Sequence, residues 1–222
     1  MRLAIINPNS TASMTAMIAA AARAAAAPDM EIVELTNETG PAAIQGVVDG
    51  ARAVPGLLSL VGEQADADAF VIACFDDTGL DAARCIAAPR PVVGIGEAGC
   101  HAAALLVHRF SIVTTLPASI PVIRDNVERQ GFARRCASIL PTGISVLDLE
   151  DGSPEVIRRL EEVVATAVER DGAEAIVLGC AGMAPYAGRL ALSCGVPVVD
   201  GIAGSVGLAS MLVRMRNGRA ST

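Results

Sequence analysis

Apolar residues fall along this chain in two kinds of run, and the two kinds alternate. Short unbroken runs predict strands at 3–6, 31–35, 70–73, 91–93, 110–114, 175–178 and 196–199, with a further strand around 143–147 in a poorly patterned piece. Between them lie longer stretches with helical spacing: 14–27, 44–64 interrupted near Pro55, 78–88, 98–108, 120–130, 154–170, 185–192 and 204–215. Ser153-Pro154-Glu155 is a strong helix start, with serine as cap, proline in the first turn and an acid near the positive helix end. The tail 217–222 is expected to be loose. The run at 70–73 does not alternate, which predicts a strand buried on both faces. Strands alternating with helices give an α/β fold with parallel sheets.

The runs also repeat. Ala69-Phe-Val-Ile-Ala-Cys74 returns as Ala175-Ile-Val-Leu-Gly-Cys180, a shift of about 106 residues. Pro91-Val-Val93 returns as Pro197-Val-Val199, and Asp66-Ala-Asp-Ala69 as Gly172-Ala-Glu-Ala175. Ala4-Ile-Ile-Asn7 resembles Ser111-Ile-Val-Thr114, one residue out of step. The chain therefore reads as two similar lobes related by an internal pseudo-two-fold repeat. Each lobe is a parallel sheet flanked by helices, and each offers a cysteine at the carboxyl end of a strand. Ligands gather at such ends, so a cleft between the lobes with Cys74 and Cys180 on opposite walls is expected.

Composition narrows the chemistry. The chain has 222 residues, 52% hydrophobic and 18% charged, which excludes disorder. With a net charge of -7 and no basic run, nucleic acid and anionic membranes are not expected partners. All 17 basic residues are arginine, so no lysine is present to hold pyridoxal phosphate. The opening residues are too weakly apolar for a signal peptide, and the alanine-rich stretch 12–27 is too short to span a bilayer. A cytoplasmic protein with reduced thiols is expected. The six cysteines form no C-x-x-C pair and only His101 and His108 accompany them, so no metal is expected. Cys85, Cys100, Cys136 and Cys194 have no repeat partner and read as core or incidental thiols. The two histidines read as packed or solvent-facing.

Gly94-Ile-Gly96-Glu-Ala-Gly99 matches the G-x-G-x-x-G spacing after a strand and before a helix. The following strand ends without an acidic residue for a ribose, so the glycines read as a tight turn with close helix packing and no cofactor is called for. Asn7, Ser10, Thr114 and Thr115 sit at equivalent strand ends. They read both as caps and as polar groups able to hold a substrate from both lobes.

Two thiols facing each other suit one kind of reaction. Inverting a carbon that bears an acidic hydrogen means removing a proton from one face and supplying one to the other, which two acid/base groups do directly. Thiol and thiolate are both accessible near neutral pH. Helix-start amides would stabilise the charge that develops on the neighbouring carbonyl oxygen.

Asn7-Pro-Asn-Ser-Thr11, Gly40-Pro-Ala-Ala-Ile44, Cys74-Phe-Asp-Asp-Thr-Gly79 and Leu178-Gly-Cys-Ala-Gly-Met183 together resemble the hydantoin/allantoin racemases of the aspartate/glutamate racemase superfamily. The resemblance spans nearly the whole chain. It implies cofactor-independent proton transfer with Cys74 and Cys180 as the acid/base pair, a small-molecule substrate and a homo-oligomer. It implies substrate contacts from Asn7, Ser10, Phe75, Thr114, Thr115, Ala181 and Gly182. It also implies that the C-terminal helix completes the first lobe, giving residues 1–97 plus 203–222 and a second lobe of 98–202. Amino-acid racemases of the superfamily carry Thr then His after the second cysteine, where this chain has Ala181-Gly182. That difference favours a neutral cyclic amide. An open-chain amino-acid racemase, a maleate-type isomerase and a non-catalytic two-lobed binder are the alternatives.

Overall fold

The computed structural model describes residues 1–218 of the 222. In chain order the elements are β1 (Arg2–Asn7), α1 (Ala12–Ala25), β2 (Glu31–Thr36), α2 (Val47–Glu63), β3 (Ala69–Ile72), α3 (Leu80–Ala87), β4 (Val92–Gly94) and α4 (Ile95–Leu106). They continue as β5 (Phe110–Thr114), α5 (Ile120–Arg129), β6 (Cys136–Pro141), α6 (Pro154–Glu169), β7 (Ala175–Leu178), α7 (Ala187–Cys194), β8 (Val198–Val199) and α8 (Gly201–Gly218), which packs back on the first sheet. Strand order is β2-β1-β3-β4 in one sheet and β6-β5-β7-β8 in the other, parallel throughout. The repeat is thus a repeat of topology: β1 corresponds to β5 and β3 to β7. The register agrees, with Ile6 beside Ile72 in one lobe and Val113 beside Leu178 in the other.

Both central strands, β3 and β7, are buried along their whole length, as their unbroken apolar runs require. On one face of the first sheet Ile5, Val71 and Val93 meet Ile18 of α1 and Ile202 and Val206 of α8. On the other, Ile6, Phe70 and Ile72 meet Leu57 and Val61 of α2 and Leu80 of α3. The second sheet packs Val113, Ile176 and Leu178 against Leu160 and Val164 of α6, and Phe110, Ile112 and Val177 against α4 and α5. Phe75 belongs to this last cluster, so a side chain from just beyond β3 is sealed into the core of the other lobe.

Three expectations need correction. The strand around 143–147 is a loop; the edge strand is β6, whose residues are all half-buried and so carry no clear alternation. The loop after it is tied by Thr142 N–H to Thr114 O (2.8 Å) and Gly143 N–H to Thr115 O (2.8 Å). Helix α2 runs unbroken through Pro55, which gives up one intrahelical bond without ending the element. The helix expected over 185–192 divides into a 3₁₀ segment, Ala181–Tyr186, and α7, because Pro185 interrupts the ladder. Of the tail expected to be loose, residues 217 and 218 still belong to α8, and residues 219–222 lie outside the described residues.

Candidate active site

Cys74 and Cys180 hold the same place in their sheets, two residues beyond β3 and β7. Ala73 N–H still bonds the β1 carbonyl of Ile6 (2.9 Å), and Gly179 N–H bonds Val113 O of β5 (2.7 Å), so each cysteine begins where pairing stops. Gly179 has to be glycine: a Cβ there would stand 2.8 Å from Val113 O and 3.0 Å from Thr114 Cβ. Beyond the pairing, both side chains turn into one cavity of about 30 Å³, walled also by Asn9, Met14, Ile44, Phe75, Asp76, Thr115, Ser119, Val146 and Ala181. That is room for a water or two, so a ring-sized substrate requires its walls to part. Most of those walls are loops, and two of them are tied together where Val146 N–H donates to Gln45 Oε1 (3.0 Å).

Of the residues named from sequence, Cys74, Phe75, Thr115, Cys180 and Ala181 line the cavity. Asn7, Ser10, Thr114 and Gly182 do not, and each is occupied nearby. Asn7 is fully buried, and its amide donates to Asn9 Oδ1 (2.8 Å) and Thr15 Oγ1 (3.0 Å), shaping the turn that presents Asn9. Ser10 N–H bonds Pro41 O (2.9 Å). Thr114 donates its hydroxyl to Gly179 O (3.2 Å) and so fixes the turn carrying Cys180. Gly182 gives its N–H to the Cys180 sulfur.

Burial dominates the electrostatics. It drives the Cys74 thiol well above its ordinary value, with the Asp76 charge adding to the effect. The Thr78 hydroxyl, 3.5 Å from Sγ, and the Asp76 N–H act the other way. Cys180 is pushed up to about 12, again by burial first, against the Gly182 N–H and with the Asp76 charge. The charge of Cys180 also acts on Cys74, as two thiols sharing a cavity require. Half-buried thiols with donors on the sulfur suit a pair in which only one is ionised at a time.

The two aspartates after Cys74 do different work. Asp77, at φ 49°, turns its carboxylate onto the amides of Gly96 and Glu97 (2.9 Å each) and onto Gln130 Nε2 (3.1 Å), capping α4. A Cβ on Gly94 would lie 2.1 Å from Asp77 Oδ1. The glycine spacing at 94–99 is therefore a seat for this carboxylate. Asp76 stays at the cavity wall, and a groove of about 360 Å³ opens on its other side, lined in part by Val47, Val54, Leu80 and Arg129. His101 packs edge-on against Phe132 with ring centroids 4.8 Å apart. Among the described residues no group of three or more His, Cys, Asp or Glu converges as a metal site would.

Asn9, Met14, Ile44, Asp76, Ser119 and Val146 are the cavity residues that the sequence did not single out. The Asn-Pro-Asn turn was a signal for Asn9. Met14 lies on α1 and Asp76 on the Cys74 loop itself, whereas Ile44, Ser119 and Val146 come from separate segments that meet only in the folded chain.

Residues 3–209 match the family model for Asp/Glu/Hydantoin racemase. The chain belongs to the Asp/Glu/hydantoin racemase family. It is 43% identical over 215 residues to a hydantoin racemase of Rhizobium meliloti, covering 96% of this chain and 89% of that protein. The structure of an allantoin racemase from Klebsiella pneumoniae superposes with a TM-score of 0.93 at 42% identity, over 97% of this chain and 88% of that one. A glutamate racemase from Francisella tularensis shares the fold, with a TM-score of 0.72 at 16% identity over 97% of this chain and 82% of that one.

Proposed function

We propose that this chain is a cofactor-independent racemase that inverts the carbon beside a carbonyl in a cyclic amide, a 5-substituted hydantoin or allantoin, with Cys74 and Cys180 as its two acid/base groups. The observation that carries this reading is the pair of equivalent strand ends placing both thiols on one cavity. One cysteine, as thiolate, takes the α-proton from one face. The other, as thiol, delivers a proton to the opposite face, and the two exchange protonation states in each turnover. Helix-start and loop amides oppose the charge that develops on the carbonyl oxygen. Ala181 and Gly182 bring no cation to the cavity, which suits a neutral ring better than an amino acid. The substrate contacts fall to Phe75, Thr115 and Ala181 at the wall, with Asn7, Ser10, Thr114 and Gly182 holding the loops that carry it.

No helix among the described residues is long and apolar enough to cross a membrane. The family resemblance supports a homo-oligomer working in the cytoplasm. The division into lobes at 1–97 plus 203–222 and 98–202 goes with this reading, since α8 packs on α1, β3 and β4.

Polarimetry of the purified protein on single enantiomers of 5-substituted hydantoins, allantoin and glutamate tests the function. Loss of optical rotation with a hydantoin or allantoin, and none with glutamate, is expected. Inversion of glutamate alone would contradict the reading.

A further inference from the structure

One buried polar atom at the site has no partner. Asp76 Oδ2 is shut away from solvent with no hydrogen bond among the described residues, and the residue is only 8% exposed. Its main chain is fully engaged: the N–H on the Cys74 sulfur, the carbonyl oxygen accepting from Asn126 Nδ2 (2.9 Å). The loop is thereby held, and Asp76 is one of the residues that wall the cavity both cysteines line. No cation offsets it. Arg129 of α5 lines the groove beyond but is engaged by Asp81 (2.9 Å) and by Asn126 Oδ1 (2.7 Å). The Asp77 carboxylate is turned away onto α4 and Gln130. The repeat supplies no second such group, because Gly182 stands where the other lobe would have it.

Resting on the two-thiol reading, three acids then surround a space of about 30 Å³. Racemisation needs one of the thiols ionised, and a second negative charge in so confined a space is strongly disfavoured. Asp76 releases its proton well below either thiol, so the form with one thiolate and a neutral carboxyl is the minor tautomer of the singly ionised cluster. In that form the buried carboxyl needs an acceptor for its O–H. We propose that Asp76, as a neutral carboxylic acid, donates a hydrogen bond to the substrate carbonyl oxygen beside the carbon being inverted. The thiolate takes the α-proton, and the C–H electron pair passes into an enolate whose oxygen accepts from the Asp76 O–H. The opposite thiol returns a proton to carbon, the carbonyl reforms, and Asp76 ends each turnover protonated as it began. Removing its donor removes stabilisation made mainly in the transition state.

Protonation gives this a signature. With all three acids protonated there is no thiolate; loss of the first proton from the cluster, drawn mostly from Asp76, opens the singly ionised state of which the thiolate form is a tautomer. Burial sets Asp76 at about 7, so kcat/KM of the unaltered chain should rise through that pH. In Asp76→Asn nothing but a thiol is left to ionise, so the rising limb should move to higher pH. The asparagine N–H still donates, and the high-pH rate should lose no more than about tenfold; Asp76→Ala should fall about a hundredfold below Asp76→Asn. Carbon-13 NMR of the Asp76 carboxyl, assigned by difference from Asp76→Asn, should show the neutral acid at pH 6 without any substrate. Equal rates in the two variants, an unmoved limb in Asp76→Asn, or an ionised carboxyl at pH 6 would each overturn the proposal. Polarimetry of the unaltered chain on the same hydantoin is the separate check on the underlying function, and absence of inversion there overturns that function itself.

Discussion

Gly96 donates its backbone N–H to Asp77 Oδ1 at 2.9 Å, and no side chain fits between them: a Cβ on Gly96 would stand 2.2 Å from the Phe75 carbonyl oxygen. The start of α4 is therefore pressed directly onto the loop that presents Cys74 and Asp76. What holds the helix also holds the site.

Gly96→Ala forces that loop and the helix apart, because the obstructing atom is main chain and cannot rotate away. The expected cost is about 1–3 kcal/mol of stability, seen as a lower midpoint in thermal denaturation, together with reduced racemase turnover. An unchanged midpoint with unchanged turnover would contradict the coupling of α4 to the Cys74 loop.

Thr78→Val removes the hydroxyl that meets the Cys74 sulfur at 3.5 Å. This donor favours the thiolate over the thiol, so its loss raises the Cys74 pKa further. A hydrogen bond to a charged group contributes on the order of 1.5 kcal/mol. Proton abstraction from the enantiomer that Cys74 serves should therefore slow about tenfold. Equal slowing of both enantiomers would mean that Thr78 acts on the fold alone.

The raised Asp76 pKa has a consequence for stability. Burial holds it at about 7 against an ordinary 3.8, so between those values the folded chain keeps a proton that the unfolded chain has released. The stability from this group is complete below the ordinary value and is lost as the pH rises through about 7. Thermal midpoints should decline over that window, and Asp76→Asn should flatten the decline. A variant whose slope matches the unaltered chain would show that Asp76 does not titrate in this range.

The fold was legible because its central strands are unbroken apolar runs. Residues 70–73 and 175–178 have no polar position to alternate with, and each ends at a cysteine, so strand, burial and the matching cysteines are all visible in the order of residues. The edge strand β6 was displaced to 143–147 because a half-buried edge imposes no period on its side chains. At the site, residues next to a cysteine in sequence were found, and Phe75, Thr115 and Ala181 do line the cavity. Ile44, Ser119 and Val146 reach it from loops far apart in the chain, brought together by contacts such as Gln45 with Val146. Asn7 and Thr114 were legible as polar strand ends. Which way they turn depends on Thr15 and Gly179, which no local pattern reveals. The different fates of Asp76 and Asp77 hang on one left-handed residue, Asp77 at φ 49°.

The central claim is that two thiols act from opposite faces, and exchange of the α-hydrogen tests it most directly. In deuterium oxide, Cys74→Ser and Cys180→Ser should each lose inversion by orders of magnitude, since a hydroxyl is a far weaker acid/base at that face. The thiol that remains can still remove a proton and return a deuteron on its own side. Each variant should then exchange the α-hydrogen of one hydantoin enantiomer only, the two variants choosing opposite enantiomers, as followed by proton NMR on separate enantiomers. Substitution of Cys85, Cys100, Cys136 or Cys194 should leave inversion close to that of the unaltered chain. Full inversion persisting in either Cys74→Ser or Cys180→Ser, or both variants exchanging the same enantiomer, would contradict the two-thiol account.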